Sequence, residues 1–186
     1  MFYYPIDQGV EMRLLELKDA PKLYRLIQEN REHLKTWLGW VDTINGIQDT
    51  KHYIKVVQSK MIEGHGFQSS IWVRDELAGL IGFHNYSRQN RSVSIGYWLG
   101  KNYEKRGLVI RGTKALVDYA FRDWDIHRIE IRCATGNYPS QQIPEKLGFR
   151  QEGISREVEW LYDHYVDHRV YSMIKREWLE RQNKLE

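Results

Sequence analysis

The chain has few of the sequence features that are typical of secreted or membrane proteins. Cys133 is its one cysteine, so the 186 residues offer no internal disulfide and no cysteine pair for a thiolate metal site. The longest apolar runs are a few residues, against the roughly 20 that cross a bilayer. Residues 1–7 also lack the basic segment and apolar stretch of a secretory signal. We therefore expect a cytoplasmic protein that does not enter a membrane.

The net charge is also small, because 28 Lys and Arg nearly balance 25 Asp and Glu and leave a formal net charge of +3. So small an excess mildly favours anionic ligands and does not by itself indicate nucleic acid. The sequence has no repeat and no Pro/Gly/Ser-rich linker, whereas 41% of its residues are hydrophobic, enough for a sizeable core. We predict one folded domain over residues 1–186 and expect no direct nucleic-acid binding.

Hydrophobic spacing predicts a helix-rich first half that turns to sheet, followed by alternating strands and helices. Seven segments have the composition of strands: 10–17, 67–73, 77–84, 92–99, 126–134, 150–158 and 166–174. Helices are predicted from residue 18, over about 32–40, 48–63, 107–123 and 140–147, and from residue 175. The predicted fold is α/β (α+β), with a mixed, mostly antiparallel central sheet of about seven strands and helices on both faces.

The most informative segment joins the predicted strand 92–99 to the predicted helix 107–123. It reads Glu104-Lys-Arg-Gly-Leu-Val-Ile-Arg-Gly112. The first N–H groups of a helix have no partner within the helix and carry positive partial charge, so a basic turn with a glycine before a helix suits a phosphate. This pattern predicts a ligand with a pyrophosphate. A solvated basic turn that caps a helix is the alternative interpretation, because short glycine motifs are weak signals.

Asn137 and Ser140 follow the predicted strand 126–134 and precede a short helix. Ligands collect at this end of the strands in open α/β sheets, which favours a functional role. The two residues are equally ordinary helix caps. His164 and His168, with Asp163 and Asp167, lie in a turn and a strand where i and i+4 do not share a helical face, so we predict no metal site. No nucleophile elbow, catalytic-cysteine signature or Walker-type phosphate loop is present.

Five segments together resemble the GNAT acetyltransferases, in particular their RimJ/RimL branch with its ribosomal-protein-serine acetyltransferases. The segments are Glu32-His-Leu-Lys-Thr-Trp-Leu-Gly-Trp40, Ile95-Gly-Tyr-Trp98, the basic turn with its helix, Asn137-x-x-Ser140 through Glu-Lys-Leu-Gly-Phe149, and the arm from Gly153 to Tyr171. The resemblance implies transfer of acetyl from acetyl-CoA to an amine without a covalent enzyme intermediate. It also implies that strand 95–99 splays from its parallel neighbour 129–133 and that the pantetheine arm lies in the gap.

The resemblance further assigns residues to acetyl-CoA. A backbone N–H near Trp98 or Leu99 would polarise the thioester carbonyl, and Asn137 would contact the pantetheine amide. Main-chain donors for the pyrophosphate would come from Lys105, Arg106, Gly107, Leu108, Val109, Ile110 and Arg111. Two places depart from the family pattern: Val109 replaces a small residue, and Ile110-Arg111 replaces Thr and a small or acidic residue. We expect a looser or shifted fit of CoA there, with Arg111 as a compensating phosphate contact.

The same resemblance implies the catalytic pair. Ser140 would protonate the leaving CoA thiolate, because the segment 140–147 lacks the tyrosine that many GNAT enzymes use. Glu159 would accept the amine proton, directly or through one water. A plain surface glutamate on a strand is the alternative for Glu159. The candidate acceptor pocket consists of Trp37, Trp40, Tyr97, Arg156 and Tyr165, all of which are also compatible with core, strand or hairpin positions.

An N-terminal α-amino group titrates at roughly 7.7 to 8 and is partly neutral at pH 7, whereas lysine titrates near 10.4. A modest base therefore suffices for a protein N-terminus, and the predicted acceptor is the α-amino group of a protein, such as a ribosomal protein. A small-molecule amine is the alternative acceptor. A GNAT-fold module that binds acyl-CoA or the ribosome without activity is the competing class. The aromatic arm is compatible with a homodimer.

Overall fold

The predicted mixture of strands and helices is confirmed in the computed structural model, which describes residues 3–183. The strands are β1 (Tyr3–Asp7), β2 (Val10–Leu14), β3 (Gln68–Val73), β4 (Glu76–Ser87), β5 (Ser92–Leu99), β6 (Arg128–Ala134), β7 (Arg150–Leu161) and β8 (His164–Ile174). The helices are α1 (Ala20–Glu29), α2 (Arg31–Lys35), α3 (Ile47–Ile62), α4 (Leu108–Arg122), α5 (Tyr138–Leu147) and α6 (Lys175–Gln182). Among residues 3–183, no helix is long and apolar enough to cross a membrane.

The strands form a single sheet in the order β1-β2-β3-β4-β5-β6-β8-β7. Within it β5 and β6 run parallel, and every other pair of neighbours is antiparallel. The parallel pair follows from the connection, because α4 carries the chain back across the sheet before β6 begins. The mostly antiparallel sheet with one parallel pair is as predicted. β8 lies between β6 and β7, so β7 is the last strand.

The sheet has one strand more than the seven predicted. β1 pairs antiparallel with β2 at the opposite edge from β7, and Tyr4 lies opposite Met12. Its side chains are largely exposed and its third residue is Pro5, which cannot donate to a ladder. An exposed edge strand with a proline lacks the apolar alternation by which the other strands are recognised, and β1 was missed for that reason.

The second helix is shorter than the predicted 32–40. α2 ends at Lys35, and residues 41–43 form a short 3-10 turn. The guanidinium of Arg31 donates to the carbonyl oxygen of Val41 at 3.0 Å and to that of Ile44, which folds the following segment back onto α2. A half-buried arginine that satisfies loop carbonyls replaces helical hydrogen bonds, and the spacing of apolar residues does not reveal such a contact.

Helices cover both faces of the sheet and bury a separate core on each. On one face, α1 and α3 pack over β2 to β5 and bury Leu23, Ile54 and Trp72. On the other face, α4 covers the sheet with its predicted apolar stripe: Leu108, Thr113, Leu116, Val117 and Ala120 are all buried. Burial of a large aliphatic side chain contributes about 1.5–3 kcal/mol. The stripe therefore fixes α4 and, with it, the turn before its first residue.

At the far end of the sheet, the face of β6, β8 and β7 that is turned away from the α4 core carries a charged network. Arg128 donates to both carboxylate oxygens of Glu152, at 2.7 and 2.5 Å, and also contacts Glu130 at 3.0 Å. Glu130 in turn accepts from Arg132 at 2.6 Å. The Arg128 guanidinium, followed by the Ser172 hydroxyl, lowers the pKa of Glu152 from 4.5 to about 2. The folded state thus favours the ionised Glu152 and stabilises the junction of β6, β8 and β7.

This network predicts a pH-dependent stability. Glu152→Gln should lower the free energy of unfolding by about 1 kcal/mol at pH 7, a value discounted for the 40% exposure of the side chain. Because the folded-state pKa is depressed, the contribution is present above pH 4.5 and is lost as the pH falls toward 2. Urea denaturation at pH 7 and pH 3 should show the deficit shrinking. Glu180→Gln, at an exposed pair 3.9 Å apart, should show none; equal deficits of Glu152→Gln at both pH values would contradict the prediction.

Candidate active site

The parallel strands β5 and β6 separate soon after they meet. Their pairing within the described residues consists of Ser92 with Arg128, Val93 with Ile129 and Ser94 with Glu130. β5 continues to Leu99 while still paired with β4, and β6 continues to Ala134 while still paired with β8. The predicted splayed pair is therefore present. Beyond Ser94 the free edge of β5 offers backbone N–H and C=O groups to whatever enters the gap, which we call the wedge.

Three side chains meet at the wedge on the sheet face that α5 covers. The Tyr97 hydroxyl donates to the backbone oxygen of Ser140 at 3.0 Å and lies 3.5 Å from Ser140 Oγ. Ser140 Oγ donates to the sulfur of Cys133 at 3.2 Å. The predicted acid therefore already directs its proton at a sulfur atom. Tyr97, predicted on the acceptor side, contacts the predicted acid Ser140.

Burial sets the protonation of this group. It raises the pKa of Tyr97 well above 10 and also raises the pKa of the Cys133 thiol. Both groups are then neutral at physiological pH, because removal from water penalises their charged forms. A protonated thiol is a poor nucleophile. The arrangement favours proton donation by hydroxyl groups over an attack by Cys133.

Asn137 caps the helix that carries Ser140. Its side-chain oxygen accepts the backbone N–H of Ser140 at 3.2 Å, the hydrogen bond expected of a helix cap. The side-chain amide N–H₂ of Asn137 makes no hydrogen bond to any residue in 3–183, so it remains a candidate donor for a ligand. Asn137 can thus cap α5 with its side-chain oxygen while its side-chain N–H₂ group stays a candidate donor for a ligand.

The basic turn has the backbone that its glycine allows. Gly107 has φ +68° and ψ +14°, a left-handed conformation, and precedes α4 without a side-chain cap. The N–H groups of Leu108, Val109 and Ile110 come before the first intrahelical bond, in which Arg111 N–H donates to Gly107 O at 3.2 Å. These three N–H groups belong to the donor segment predicted over residues 105–111. Lys105 and Arg106 are exposed beside it.

The two departures from the family pattern in this turn have distinct positions. The side chains of Leu108 and Val109 are buried, so these residues face a ligand through their main chain alone. Arg111 folds back over the turn, where its Nη1 donates to Arg106 O at 3.2 Å. Its buried Nε has no hydrogen-bond partner within residues 3–183, and Asp7 lies 3.9 Å away. The Arg111 guanidinium therefore lies over the turn with its Nη1 next to Gly107, where a charged group fits a phosphate.

The opposite face of the sheet carries the predicted acceptor tryptophans. Trp98 points to this face, and its ring centroid lies 5.9 Å from that of Trp40. Trp37 lies against the loop after β6, where a Cβ on Gly136 would come within 3.1 Å of its ring. Trp37 and Trp40, both in the segment after α2, are half-buried. The tryptophans therefore lie on the face of the sheet opposite Ser140.

Glu159 lies on this same face, beyond a bulge in β7. Ser155 pairs with His168 and Glu159 with Val166, so three residues of β7 stand opposite one residue of β8. The bulge contains Glu157 at φ +49°, and its N–H donates to a carboxylate oxygen of Asp167 at 2.7 Å. Bulges commonly redirect side chains next to active sites. Here the bulge keeps Glu159 on the face of Trp98.

The remaining predicted residues lie farther out on the β7–β8 arm. Arg156 is exposed within the bulge, and Tyr165 is 57% exposed with its ring 4.8 Å from that of Trp160. The structure thus brings Ser140, Tyr97 and Asn137 together, and it leaves Arg156 and Tyr165 at the rim. Within residues 3–183, no three His, Cys, Asp or Glu side chains are grouped as metal ligands.

Sequence reasoning missed the residues that hold these parts in place. Tyr162 ties the arm to the segment after α2, because its hydroxyl donates to Leu38 O at 2.7 Å. Cys133 receives the Ser140 hydroxyl, although the sequence analysis considered only its disulfide and metal chemistry. A contact from a side chain to a residue elsewhere in the chain leaves no local signal in the sequence. The apolar alternation of β6, however, placed Cys133 on a buried face.

A single substitution tests the turn. Gly107→Ala puts a side chain on left-handed backbone and a Cβ 2.8 Å from Arg111 Nη1. We expect binding of coenzyme A to weaken about tenfold, since the strain of roughly 1–2 kcal/mol alters the turn that presents the donors. Isothermal titration calorimetry with coenzyme A measures the effect. Gly153→Ala is the control, because its Cβ meets nothing within 4 Å. Unchanged affinity of Gly107→Ala would remove the turn from the binding site.

Comparison with known proteins adds to this geometry. The chain is similar to the putative ribosomal N-acetyltransferase YdaF of Bacillus subtilis (strain 168), with 31% identity over 96% of this chain and 98% of the relative. It is similar to the ribosomal-protein-serine acetyltransferase of Escherichia coli (strain K12), with 28% identity over 91% and 94%. A solved RimL ribosomal L7/L12 alpha-N-protein acetyltransferase in complex with coenzyme A matches with TM-score 0.89 and 25% identity over 93% and 98%.

The family model for the acetyltransferase (GNAT) domain matches residues 10–150, more than half of the chain. The residues also suit the cosubstrate, since the uncapped start of α4, the Arg111 guanidinium over the turn and the free edge of β5 all offer donors to a phosphorylated, amide-bearing chain. This protein belongs to the GNAT acetyltransferases, in their RimJ/RimL-like branch, and is an N-acetyltransferase that uses acetyl-CoA.

Proposed function

We propose that the enzyme acetylates the N-terminal α-amino group of a protein, with a ribosomal protein as acceptor, by direct attack in a ternary complex. The observation that carries this proposal is the Ser140 hydroxyl, which donates to a sulfur at the wedge and lies across the sheet from the predicted base Glu159. Relatives named for ribosomal-protein acetylation cover almost the whole chain, and this supports the acceptor class. The activity is expected to reside in one domain spanning residues 1–186.

The wedge supports direct transfer. In the solved RimL complex, coenzyme A is joined to a cysteine by a disulfide, so in that protein the CoA sulfur reaches a cysteine. In this chain Cys133 is the one cysteine, and it lies in the wedge beside Ser140. A cosubstrate sulfur near Cys133 would take the hydrogen bond that Ser140 Oγ now gives to Cys133. The raised pKa of Cys133 keeps it a thiol, which favours attack by the amine over an acyl-cysteine route.

Three steps follow from the positions of the chain's own groups. Glu159 accepts a proton from the amine, directly or through one water. A backbone N–H of β5 near Trp98 or Leu99 stabilises the developing oxyanion, a contribution of about 3–4 kcal/mol. Ser140 then donates its proton to the leaving sulfur. Ser140 also lies in the first turn of α5, where the helix dipole favours the negative charge of a thiolate.

The function is tested by thiol release from acetyl-CoA. Peptides that begin with Ser or Ala and carry a free α-amino group should release CoA, whereas the same peptides acetylated at the N-terminus should not. Mass spectrometry should place the new acetyl group on the N-terminal nitrogen. Release with a polyamine alone would indicate a small-molecule acceptor. Binding of CoA without release with any amine would indicate an inactive binding module.

Two substitutions test the roles of acid and base. Ser140→Ala and Glu159→Gln should each lower kcat by about 10²-fold, the usual contribution of one proton-transfer group, while CoA still binds. Steady-state kinetics and calorimetry measure the two effects. Ser59→Ala, on α3, and Glu157→Gln, exposed in the bulge before Glu159, are matched controls and should keep wild-type kcat. A kcat of either active-site variant within twofold of wild type would exclude that residue as a proton carrier.

A further inference from the structure

We propose that His168 is a positioning residue that holds the Glu159 carboxylate toward the wedge, an inference that rests on the function proposed above. His168 Nε2 lies 2.9 Å from Glu159 Oε2, although the angle is not that of a hydrogen bond. The imidazole is largely buried, with 15% of its side chain exposed, whereas 40% of Glu159 is exposed. A carboxylate that reaches from the surface thus meets a buried imidazole.

The sheet register explains why these two side chains meet. His168 pairs with Ala134 of β6 on one side and with Ser155 of β7 on the other. Val166, two residues earlier on β8, pairs with Glu159. Residues that pair across strands, and residues two apart on one strand, share a face of the sheet. His168 and Glu159 therefore lie on the same face as Ala134, the last residue of β6 beside the wedge.

The two residues differ in how firmly their backbones are held. β8 is an interior strand with ladders on both sides, whereas β7 is the last strand of the sheet and is bulged just before Glu159. A base must be held within a fraction of an ångström of its productive position. Glu159 therefore requires a partner on a better-held strand, and His168 is in place to be that partner.

The charges around this pair leave His168 as the natural partner of Glu159. Within residues 3–183, His168 Nε2 is the one Lys, Arg or His side-chain nitrogen within 4 Å of the Glu159 carboxylate. Asp167 is engaged with the Glu157 N–H, and Arg169 is directed at Gln151, at 3.1 Å. Arg132, two residues from Ala134 on the same face, is paired with Glu130 at 2.6 Å.

The buried Nε2 of His168 has no hydrogen-bond partner among the described residues. Buried polar groups are nearly always satisfied, and hydrogen bonds in active sites often become aligned only when substrate binds. A small rotation of Glu159 would give Nε2–H an acceptor and leave the second carboxylate oxygen for the amine. His168 would then fix which oxygen takes the proton.

The test compares two amides at this position. The side-chain nitrogen of Gln reaches the place of an imidazole Nε2, whereas that of Asn is too short, so His168→Gln should keep most of the wild-type kcat. His168→Asn should lower kcat about tenfold, as the loss of supporting contacts typically does, with an unchanged KM for acetyl-CoA. His164→Gln is the matched control, because His164 also contacts an acidic residue, Asp163 at 2.7 Å, but at the tip of the arm.

A double substitution separates positioning from a merely structural role. If His168 acts through Glu159, His168→Asn combined with Glu159→Gln should be no slower than Glu159→Gln alone. Multiplied losses, or equal losses for the Gln and Asn variants of His168, would overturn the inference while peptide acetylation by the wild type still stood. A wild type that acetylates no peptide would overturn both proposals. Thermal unfolding of each variant shows whether a loss of kcat reflects a loss of fold.

Discussion

The site depends on the early end of the pairing between β5 and β6. β5 and β6 share three residue pairs and then separate, while each remains bound to its other neighbour. Unpaired backbone groups inside a sheet are costly unless something satisfies them, so the fold provides a place that suits an amide-bearing chain. The pantetheine arm of acetyl-CoA carries such amides. An opening within a single sheet also brings groups from both faces to the same point.

Two helices limit how far the opening can vary. α4 buries its stripe against the sheet and thereby fixes Gly107 and the three free N–H groups after it. α5 is held at its start by the Asn137 cap and by the hydrogen bond from Tyr97 to the Ser140 carbonyl. The phosphate end and the sulfur end of the cosubstrate are thus set by separate contacts. The side chain of Val109, which stands where the family pattern has a smaller residue, is buried.

Periodicity predicted most of the fold, and the resemblance predicted the site residues. The strands with buried faces and the stripe on α4 carried clear spacing, whereas the exposed β1 with Pro5 did not. Within the site, Ser140 and Asn137 were visible because a helix start after a strand is a local pattern. The role inferred for His168 was not, since it depends on the register of β7 and β8 and on a bulge. Neither register nor bulge follows from residue spacing within one strand.

Alternation along the strands gives a physical reason why the proposed acid and base lie on opposite faces. Consecutive residues of β5 point to different sides, so Tyr97 faces Ser140 and Cys133 while Trp98 faces Trp40. A proposed acid at the sulfur of acetyl-CoA and a proposed base at the amine would tend to hydrogen-bond to each other if both lay on one face. In the proposed mechanism Ser140 and Glu159 lie on opposite faces of the sheet and would act on two substrates that meet in the wedge. On that proposal, proton transfer would require both substrates to be bound.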